Sequence, residues 1–167
     1  IAASLAPDSA AQVGEADVKA AYLFNFTRFV EWPDGTPPDA DPFRLCVIAD
    51  RAMTALIEQT MMGEAVKGRP SETAVPASSE EARRCQILFV GRTEMSRARP
   101  MLAALRDHPV LTVSDAARFA DTGGMIEFMR VDEHVRFRVN VEAAKRSRIA
   151  ISSRLLRVAF DIAGAPK

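Results

Sequence analysis

Two adjacent glycines stand where a nucleotide-binding loop could lie, in the stretch DTGGMIEF over residues 121–128. A dinucleotide fingerprint needs G-x-G-x-x-G between a strand and a helix, so that backbone amides face the pyrophosphate. Here Gly123 and Gly124 are adjacent, an apolar strand pattern follows them, and no Lys-Ser or Lys-Thr pair completes a phosphate loop. The pattern therefore predicts a left-handed turn that enters a strand.

The residue types that could support catalysis or hold a metal are present but poorly arranged. His108 precedes a proline in a predicted loop and His134 lies at a predicted hairpin tip, so neither is placed to activate a nucleophile. Ser153 lacks the G-x-S-x-G pattern of a nucleophile elbow. The two cysteines and two distant histidines have no metal-ligand spacing. We therefore expect no enzyme, no metal site and no bound cofactor.

The first residues are typical of the mature end of an exported protein. Residues 1–14 begin IAASLAPDSAAQ, a stretch of small residues with little charge. We expect these residues to form a flexible mature N-terminus, left after a signal peptide was cleaved. No run approaches the roughly 18 apolar residues that a membrane-spanning helix needs, so we expect no direct membrane insertion.

Cys46 and Cys85 are the only cysteines of the chain. Cys46 lies inside the first predicted strand, and Cys85 lies just before the predicted strand ILFV. Neighbouring parallel strands would bring the two within disulfide range. In an exported chain such a pair favours a bridge, and two buried free thiols are the alternative.

The charges are balanced overall but divided along the chain. The 167 residues carry 22 basic and 22 acidic side chains. Residues 1–82 hold six of the basic and thirteen of the acidic ones, which leaves sixteen basic against nine acidic in the remainder. The two halves could neutralise each other on neighbouring surfaces, or the second half could present a basic patch to a partner. The exported start argues against nucleic acid as that partner.

The hydrophobic pattern predicts one α/β domain over residues 15–163. Its first helix, over 15–32, carries an apolar stripe that includes Val18, Tyr22 and Phe26. The elements predicted after it are a loop over 33–42, a strand over 43–50, a helix over 51–63, a weaker strand over 74–77, a strand over 87–92, a helix over 94–107, a strand over 110–115 and a short helix over 116–121. This order predicts a largely parallel central sheet with helices on both faces.

After Gly124 the pattern changes to a C-terminal antiparallel hairpin. Its strands cover 125–131 and 134–140, and strict alternation places Phe137 and Val139 on one face and Arg136 and Arg138 on the other. A helix over 141–148 and a strand over 149–152 follow. The apolar run over 153–162 is either a closing strand or a closing helix.

Several of these segments together resemble the YfiR-like family of periplasmic proteins. They are VKAAYLFNFTRFVEWP, CVIAD, ILFVG, RFADTGGMIEFMR and VRFRVNVEAAKRSRIAISSRLLRVA, and they cover residues of about 17 to 160. The resemblance implies that the double glycine is a structural signature of the domain. It also implies that Cys46 and Cys85 are one of the family's disulfide pairs. A second pair, which some relatives carry near the Gly-Gly-Met segment, is missing here.

The same resemblance implies a periplasmic, homodimeric repressor. Such proteins bind the periplasmic sensor domain of a YfiN-type inner-membrane diguanylate cyclase and hold it inactive, which lowers cyclic di-GMP and biofilm formation. We expect the partner-binding surface to include Arg136 and Arg138, which would face an acidic rim, and Val141 as an apolar contact. One alternative is a periplasmic small-molecule sensor that uses the crevice at the carboxyl end of the sheet. Another is a hydrolase that depends on Ser153 or His134.

Overall fold

Helices and strands alternate along residues 8–163, the part of the chain that the computed structural model describes. The helices are α1 (Asp8–Phe29), α2 (Arg51–Met61), α3 (Ser79–Ala82), α4 (Met95–Ala104), α5 (Val141–Arg146) and α6 (Ser153–Val158). The strands are β1 (Val30–Glu31), β2 (Phe43–Ile48), β3 (Ala65–Val66), β4 (Arg69–Ala74), β5 (Ile87–Val90), β6 (Leu111–Ser114), β7 (Ile126–Val131), β8 (His134–Asn140), β9 (Ala150–Ile151) and β10 (Asp161–Ala163).

Eight of the strands form one sheet in the order β10-β8-β7-β6-β5-β2-β4-β3. Five adjacent strands, β4, β2, β5, β6 and β7, are parallel to one another. The hairpin strands β7 and β8 are antiparallel, as are β3 and β4, and β10 runs parallel to β8. Helices α1 and α2 cover one face, and α3 and α4 cover the other. The predicted α/β fold with a C-terminal antiparallel hairpin is therefore confirmed.

The aromatic stripe of α1 packs on the inner face of the β7–β8 hairpin. Phe26 is fully buried, and its ring centroid lies 5.3 Å from that of Phe137 and 5.9 Å from that of Phe128. Tyr22 contacts Phe137 at the same 5.3 Å. Val18, which the sequence assigned to this stripe, is 41% exposed. The stripe thus begins one turn later than predicted and joins α1 to the hairpin.

The end of α1 is fixed by Trp32, which follows the short strand β1. Its indole N–H donates to the carbonyl of Gln86 at 2.9 Å, and its ring meets Phe43 edge-on at 5.2 Å. The Lys67 ammonium lies 5.6 Å from the centroid of the indole ring and donates to the carbonyl of Val30 at 2.9 Å. The Glu-Trp-Pro segment therefore anchors the helix to the edge half of the sheet.

The predicted disulfide between Cys46 and Cys85 is present. Their Cα atoms are 5.9 Å apart, and each residue is 1% exposed. The bond lies in the smaller core on the face opposite α1, beside Leu88 and Val90. It joins the second half of β2 to Cys85, which lies between α3 and β5. The bond therefore encloses the intervening chain of α2, β3, β4 and α3.

The two adjacent glycines are required for two different reasons. Gly123 has a φ of +106°, in the left-handed region that favours glycine, which confirms the predicted turn. A Cβ at Gly124 would fall on the ring of Phe119, which is itself 5% exposed. The amide of Gly124 also donates to the carbonyl of Phe119 at 2.9 Å. The first glycine therefore makes the turn and the second lets the aromatic ring pack against the backbone.

Two predicted elements differ in the structure. The weaker strand lies at Arg69–Ala74 instead of 74–77, because β4 is a polar strand near the sheet edge and carries no apolar alternation that would mark it. The predicted short helix over 116–121 is wrong. Arg118 has a φ of +64°, which breaks helical geometry, and only a single 3-10 turn over Ala120–Thr122 forms.

The two ends of the chain also add detail to the prediction. Of the residues 1–14 expected to be flexible, 1–7 lie outside the described residues, and the chain is helical from Asp8. The strand predicted over 149–152 is the two-residue β9, which pairs with β1 outside the main sheet. The closing segment contains both a helix, α6, and a strand, β10.

We predict that Gly124→Ala destabilises the fold by about 1–3 kcal/mol, because the added methyl must displace the buried Phe119 ring. Gly14→Ala is the matched control. It lies in α1, where a Cβ meets nothing within 4 Å, and should be neutral or stabilising by up to about 1 kcal/mol. Chemical denaturation of both variants measures the difference. Equal stability of the two would contradict the packing role of Gly124.

We also predict that reduction slows the protein on a denaturing gel and lowers its melting temperature. On the chain-entropy account, a bridge across 39 residues stabilises the fold by roughly 4 kcal/mol. A Cys46→Ser/Cys85→Ser double variant should melt at the lower temperature with or without reductant. Identical mobility of the wild type in both gels, together with two reactive thiols, would show that the bridge does not form.

Candidate partner-binding surface

Strand β8 carries its arginines on the sheet face opposite the main core. Phe137 and Val139 are 1% and 0% exposed and point toward α1, whereas Arg136 is exposed and Arg138 is half-buried on the opposite face. The strand alternation therefore places the two predicted partner-binding arginines on one face, as expected from the sequence. The two arginines differ in their exposure and in the charges around them.

Arg138 lies between three carboxylates from three segments of the chain. The strand register places it opposite Glu127 of β7 and opposite Asp161 of β10. Its Nε lies 3.0 Å from Oδ2 of Asp161 and its Nη2 lies 3.1 Å from Oδ1 of Asp121, while Nη1 is 3.7 Å from Oε2 of Glu127. The guanidinium group therefore joins β7, β10 and the turn before the glycines.

Glu127 is the buried member of this cluster and also fixes the turn. It is 4% exposed, and its Oε1 accepts a hydrogen bond from the amide of Ala120 at 3.0 Å. The carbonyl of Ala120 accepts from Nδ2 of Asn140 at 2.8 Å. The Oδ1 of Asn140 in turn accepts from the amide of Ala143 and caps the start of α5. The cluster therefore links the turn, the hairpin and α5.

The ion pair between Arg138 and Asp121 shifts the pKa of both groups. The hydrogen bond from Arg138 lowers the pKa of Asp121, and the same bond raises the pKa of Arg138. Because its charge is already matched by three carboxylates, Arg138 has little attraction left for an acidic partner. Arg136 is the exposed cation of the pair and the better candidate for that contact.

Val141 is the third predicted partner-binding residue. It is half-buried at the start of α5 and packs against the main core, so part of its apolar surface is already used. Since a strand rises about 3.3 Å per residue, Arg136 and Val141 lie roughly 15 Å apart along β8. A single partner surface of ordinary size spans that distance.

Sequence reasoning missed an apolar edge beside these residues. Val158, Phe160 and Ile162 are 60%, 54% and 36% exposed. Val158 ends α6, Phe160 directly precedes β10 and Ile162 lies in β10, the outer strand at this end of the sheet. Exposed apolar side chains beside the outer strand of a sheet are typical of interaction surfaces. The apolar run over 153–162 was the sequence signal for this edge. It could not be used, because the run could be assigned either as a strand or as a helix. We call Val158, Phe160 and Ile162 the β10-edge surface. Arg136 lies on the neighbouring strand β8, on the sheet face opposite Ile162.

A separate crevice of about 940 Å³ opens at the carboxyl ends of β2 and β5. The chain leaves β2 toward β4 on one side and returns to β5 on the other, which is where open α/β sheets bind ligands. Lys19 lies in the crevice with its Nζ 2.9 Å from Glu15 and 3.0 Å from Asp115. The hydrogen bond from Lys19 lowers the pKa of Glu15. Lys19, Glu15 and Asp115 thus form ion pairs with one another inside the crevice.

Within residues 8–163 no cluster of three or more His, Cys, Asp or Glu side chains is placed to hold a metal ion. No helix in this range has the length and apolar character needed to cross a bilayer.

Comparisons with known proteins place these features in a family. A family model described as YfiR/HmsC-like matches residues 16–160, and no curated protein matches the sequence. A conserved domain protein from Vibrio cholerae O1 biovar El Tor strain N16961 has a similar fold, with a TM-score of 0.60 and 10% identity over 88% of this chain. An ABC domain from Streptococcus pneumoniae, solved in complex with L-Trp, gives 0.53 and 14% over 89%. The chain spans 60% of each of those two structures.

We predict that Arg138→Met costs about 3 kcal/mol of stability at neutral pH, because it leaves the buried carboxylate of Glu127 without its cation. The folded-state pKa of Asp121 is lowered, so its contribution is fully present above the ordinary pKa of the group and is lost as pH falls through the lowered value. The stability gap between wild type and variant should therefore narrow below about pH 4.

The exposed Arg136→Met is the matched control for this measurement, and we expect it to change stability by less than about 0.5 kcal/mol at either pH. Denaturant titrations of the wild type and both variants at pH 7 and pH 3 supply the free energies of unfolding, and so the stability loss of each variant at each pH. A gap that stays constant with pH, or an equal loss in the control, would show that Arg138 does not hold these strands together.

Proposed function

The chain belongs to the YfiR/HmsC-like family, and from this membership we propose that it binds the periplasmic sensor domain of an inner-membrane diguanylate cyclase and holds the cyclase inactive. The family is periplasmic and regulatory rather than catalytic. The proposed result is less cyclic di-GMP and less biofilm. The proposal includes a homodimer and export by a cleaved signal peptide, both of which the family resemblance implies.

The observation that carries this proposal is the β10-edge surface. In the described part of the chain, this surface places the exposed apolar residues Val158 and Phe160 at the outer edge of the sheet, next to strand β8, which carries the exposed cation Arg136. An apolar centre with a charged rim is typical of transient protein interfaces. Arg138 joins β10 to the hairpin through its ion pair with Asp161 and so holds this edge strand in place.

Inhibition on this account is a shift of populations. A regulator that binds the inactive cyclase in preference to the active one can change the equilibrium only by the ratio of its two affinities. A signal that weakens the regulator's binding therefore restores activity. The partner contacts proposed for Arg136, the apolar edge and Val141 supply the binding energy, whereas Arg138, which the sequence also named, keeps β10 joined to the hairpin.

A second candidate function is a periplasmic small-molecule sensor without a cyclase partner. The crevice of about 940 Å³ at the carboxyl ends of β2 and β5 favours it, because its position is typical of ligand sites in open α/β sheets. Phe89 and Phe128 line it as apolar surface, and Arg92 and Arg130 line it as cations.

We predict that Phe160→Asp weakens binding to the purified periplasmic domain of the host's diguanylate cyclase at least tenfold, a loss of about 1.4 kcal/mol. Arg136→Glu should mainly slow association, and more so at low salt. Arg51→Glu reverses an equally exposed arginine at the start of α2, far from the β10-edge surface, and should bind as wild type does.

Cyclic di-GMP in the native host tests the same proposal in the cell. Deletion of the gene should raise it, and complementation by wild type or Arg51→Glu, but not by Phe160→Asp, should reverse the rise. Unchanged cyclic di-GMP on deletion, with the cyclase expressed, would reject the cyclase partner. Normal binding by Phe160→Asp would reject the β10-edge surface as the binding site and leave the proposed cyclase partner unaffected.

A further inference from the structure

A second cavity, of about 390 Å³, lies on the sheet face opposite α1, between α4, α5 and the turn that carries the two glycines. Helix α4 contributes one stripe to it, because Met95, Arg99 and Leu102 follow at intervals of three or four residues, and Arg106 lies just after the end of the helix. The turn contributes Phe119, and other apolar side chains complete the lining: Ala103, Leu105, Ala116, Ala117, Met125 and Ala143. Apart from the arginines and two threonines, Thr112 and Thr122, the side chains that line this cavity are therefore apolar.

The charged residues that line this cavity are all cations. They are Arg99, Arg106 and Arg146, each of which is exposed, and no Asp or Glu is among the lining residues. Among residues 14–163, whose side chains the structure describes, none of the three forms an ion pair with a carboxylate. Arg138 and Lys19, by contrast, are each paired with two or more carboxylates. The cavity thus presents positive charge that this part of the chain does not neutralise.

The walls of the cavity are held in place by specific contacts. The ring of Phe119 packs against the backbone of Gly124, where no side chain could fit. The hydroxyl of Ser147, just after α5, donates to the carbonyl of Arg106 at 2.8 Å and joins the two helices that flank the cavity. A pocket whose walls are fixed in this way needs little rearrangement to bind a ligand.

We propose that this cavity binds a single-chain carboxylate amphiphile of the medium-chain fatty acid type. The apolar chain would lie between Leu102, Phe119 and Met125, and the carboxylate would lie among the arginines. Guanidinium groups match a carboxylate with paired hydrogen bonds, and the volume falls within the range of about 300–1,000 Å³ that small-ligand sites occupy. The site is separate from the β10-edge surface and does not depend on a cyclase partner.

Binding of monomeric decanoate to the full chain, measured by calorimetry and by the melting temperature, tests this proposal. Decanoate should bind with a stoichiometry of one and raise the melting temperature, because it binds only the folded chain. Decanol, which has the same chain without charge, should bind at least tenfold more weakly, and decylamine should not bind measurably.

Variants assign the binding to this cavity. Arg99→Gln/Arg146→Gln should weaken decanoate binding at least tenfold while leaving the melting temperature of the free protein unchanged, since both side chains are exposed. Arg97→Gln removes a cation from the same helix that does not line the cavity, and it should bind as wild type does.

Three results would overturn the proposal. One is equal affinity for decanol and decanoate, which would show that the arginines do not recognise the carboxylate. The second is full binding by the double variant, which would place the ligand elsewhere. The third is binding to vesicles that contain anionic phospholipid but not to monomeric decanoate, which would make this face a membrane-contact surface instead.

Discussion

The packing of the α1 aromatic stripe on the β7–β8 hairpin is the interaction on which the remaining structure depends. Phe26, Phe128 and Phe137 form a cluster in which each ring contacts another, and such pairs contribute roughly 0.5–1.5 kcal/mol each beyond the area they bury. Because a strand alternates its side chains, burying Phe137 and Val139 forces Arg136 and Arg138 to the opposite face. The hydrophobic contact on one side of the hairpin thus determines which charges are available on the other.

The ion pairs show where the acidic first half and the basic second half of the chain neutralise each other. Among the ion pairs of residues 14–163, Lys19–Asp115 and Arg130–Glu15 join the acidic first half to the basic second half, and the others lie within one half. Within these residues, the two halves therefore form ion pairs with each other at the crevice end of the sheet. Of the remaining basic side chains, Arg138 is matched inside the second half, whereas Arg99, Arg106 and Arg146 keep their charge at the surface of the smaller cavity.

The sequence predicted the features that depend on local pattern. Alternation placed Phe137 and Arg138 on opposite faces, the double glycine marked a left-handed turn, and the positions of Cys46 and Cys85 indicated a bridge. It could not predict that Arg138 pairs with Asp161. That contact depends on the register of β10, a strand that could not be distinguished from helix in a short apolar run. The polar strand β4 was misplaced for a related reason, since near the sheet edge little apolar surface needs to be buried.

The disulfide has a topological consequence for the edge of the sheet. Residues 46–85 form a closed covalent loop that contains β4, β3 and the helices on either side of them. Exchange of a structural element between two copies requires one end of that element to swing free on a hinge. In the oxidised chain both ends of this unit are joined to each other, so it has no free end to exchange. For the oxidised protein, the contact proposed at the opposite edge, at β10, would therefore carry no risk of domain swapping at this one.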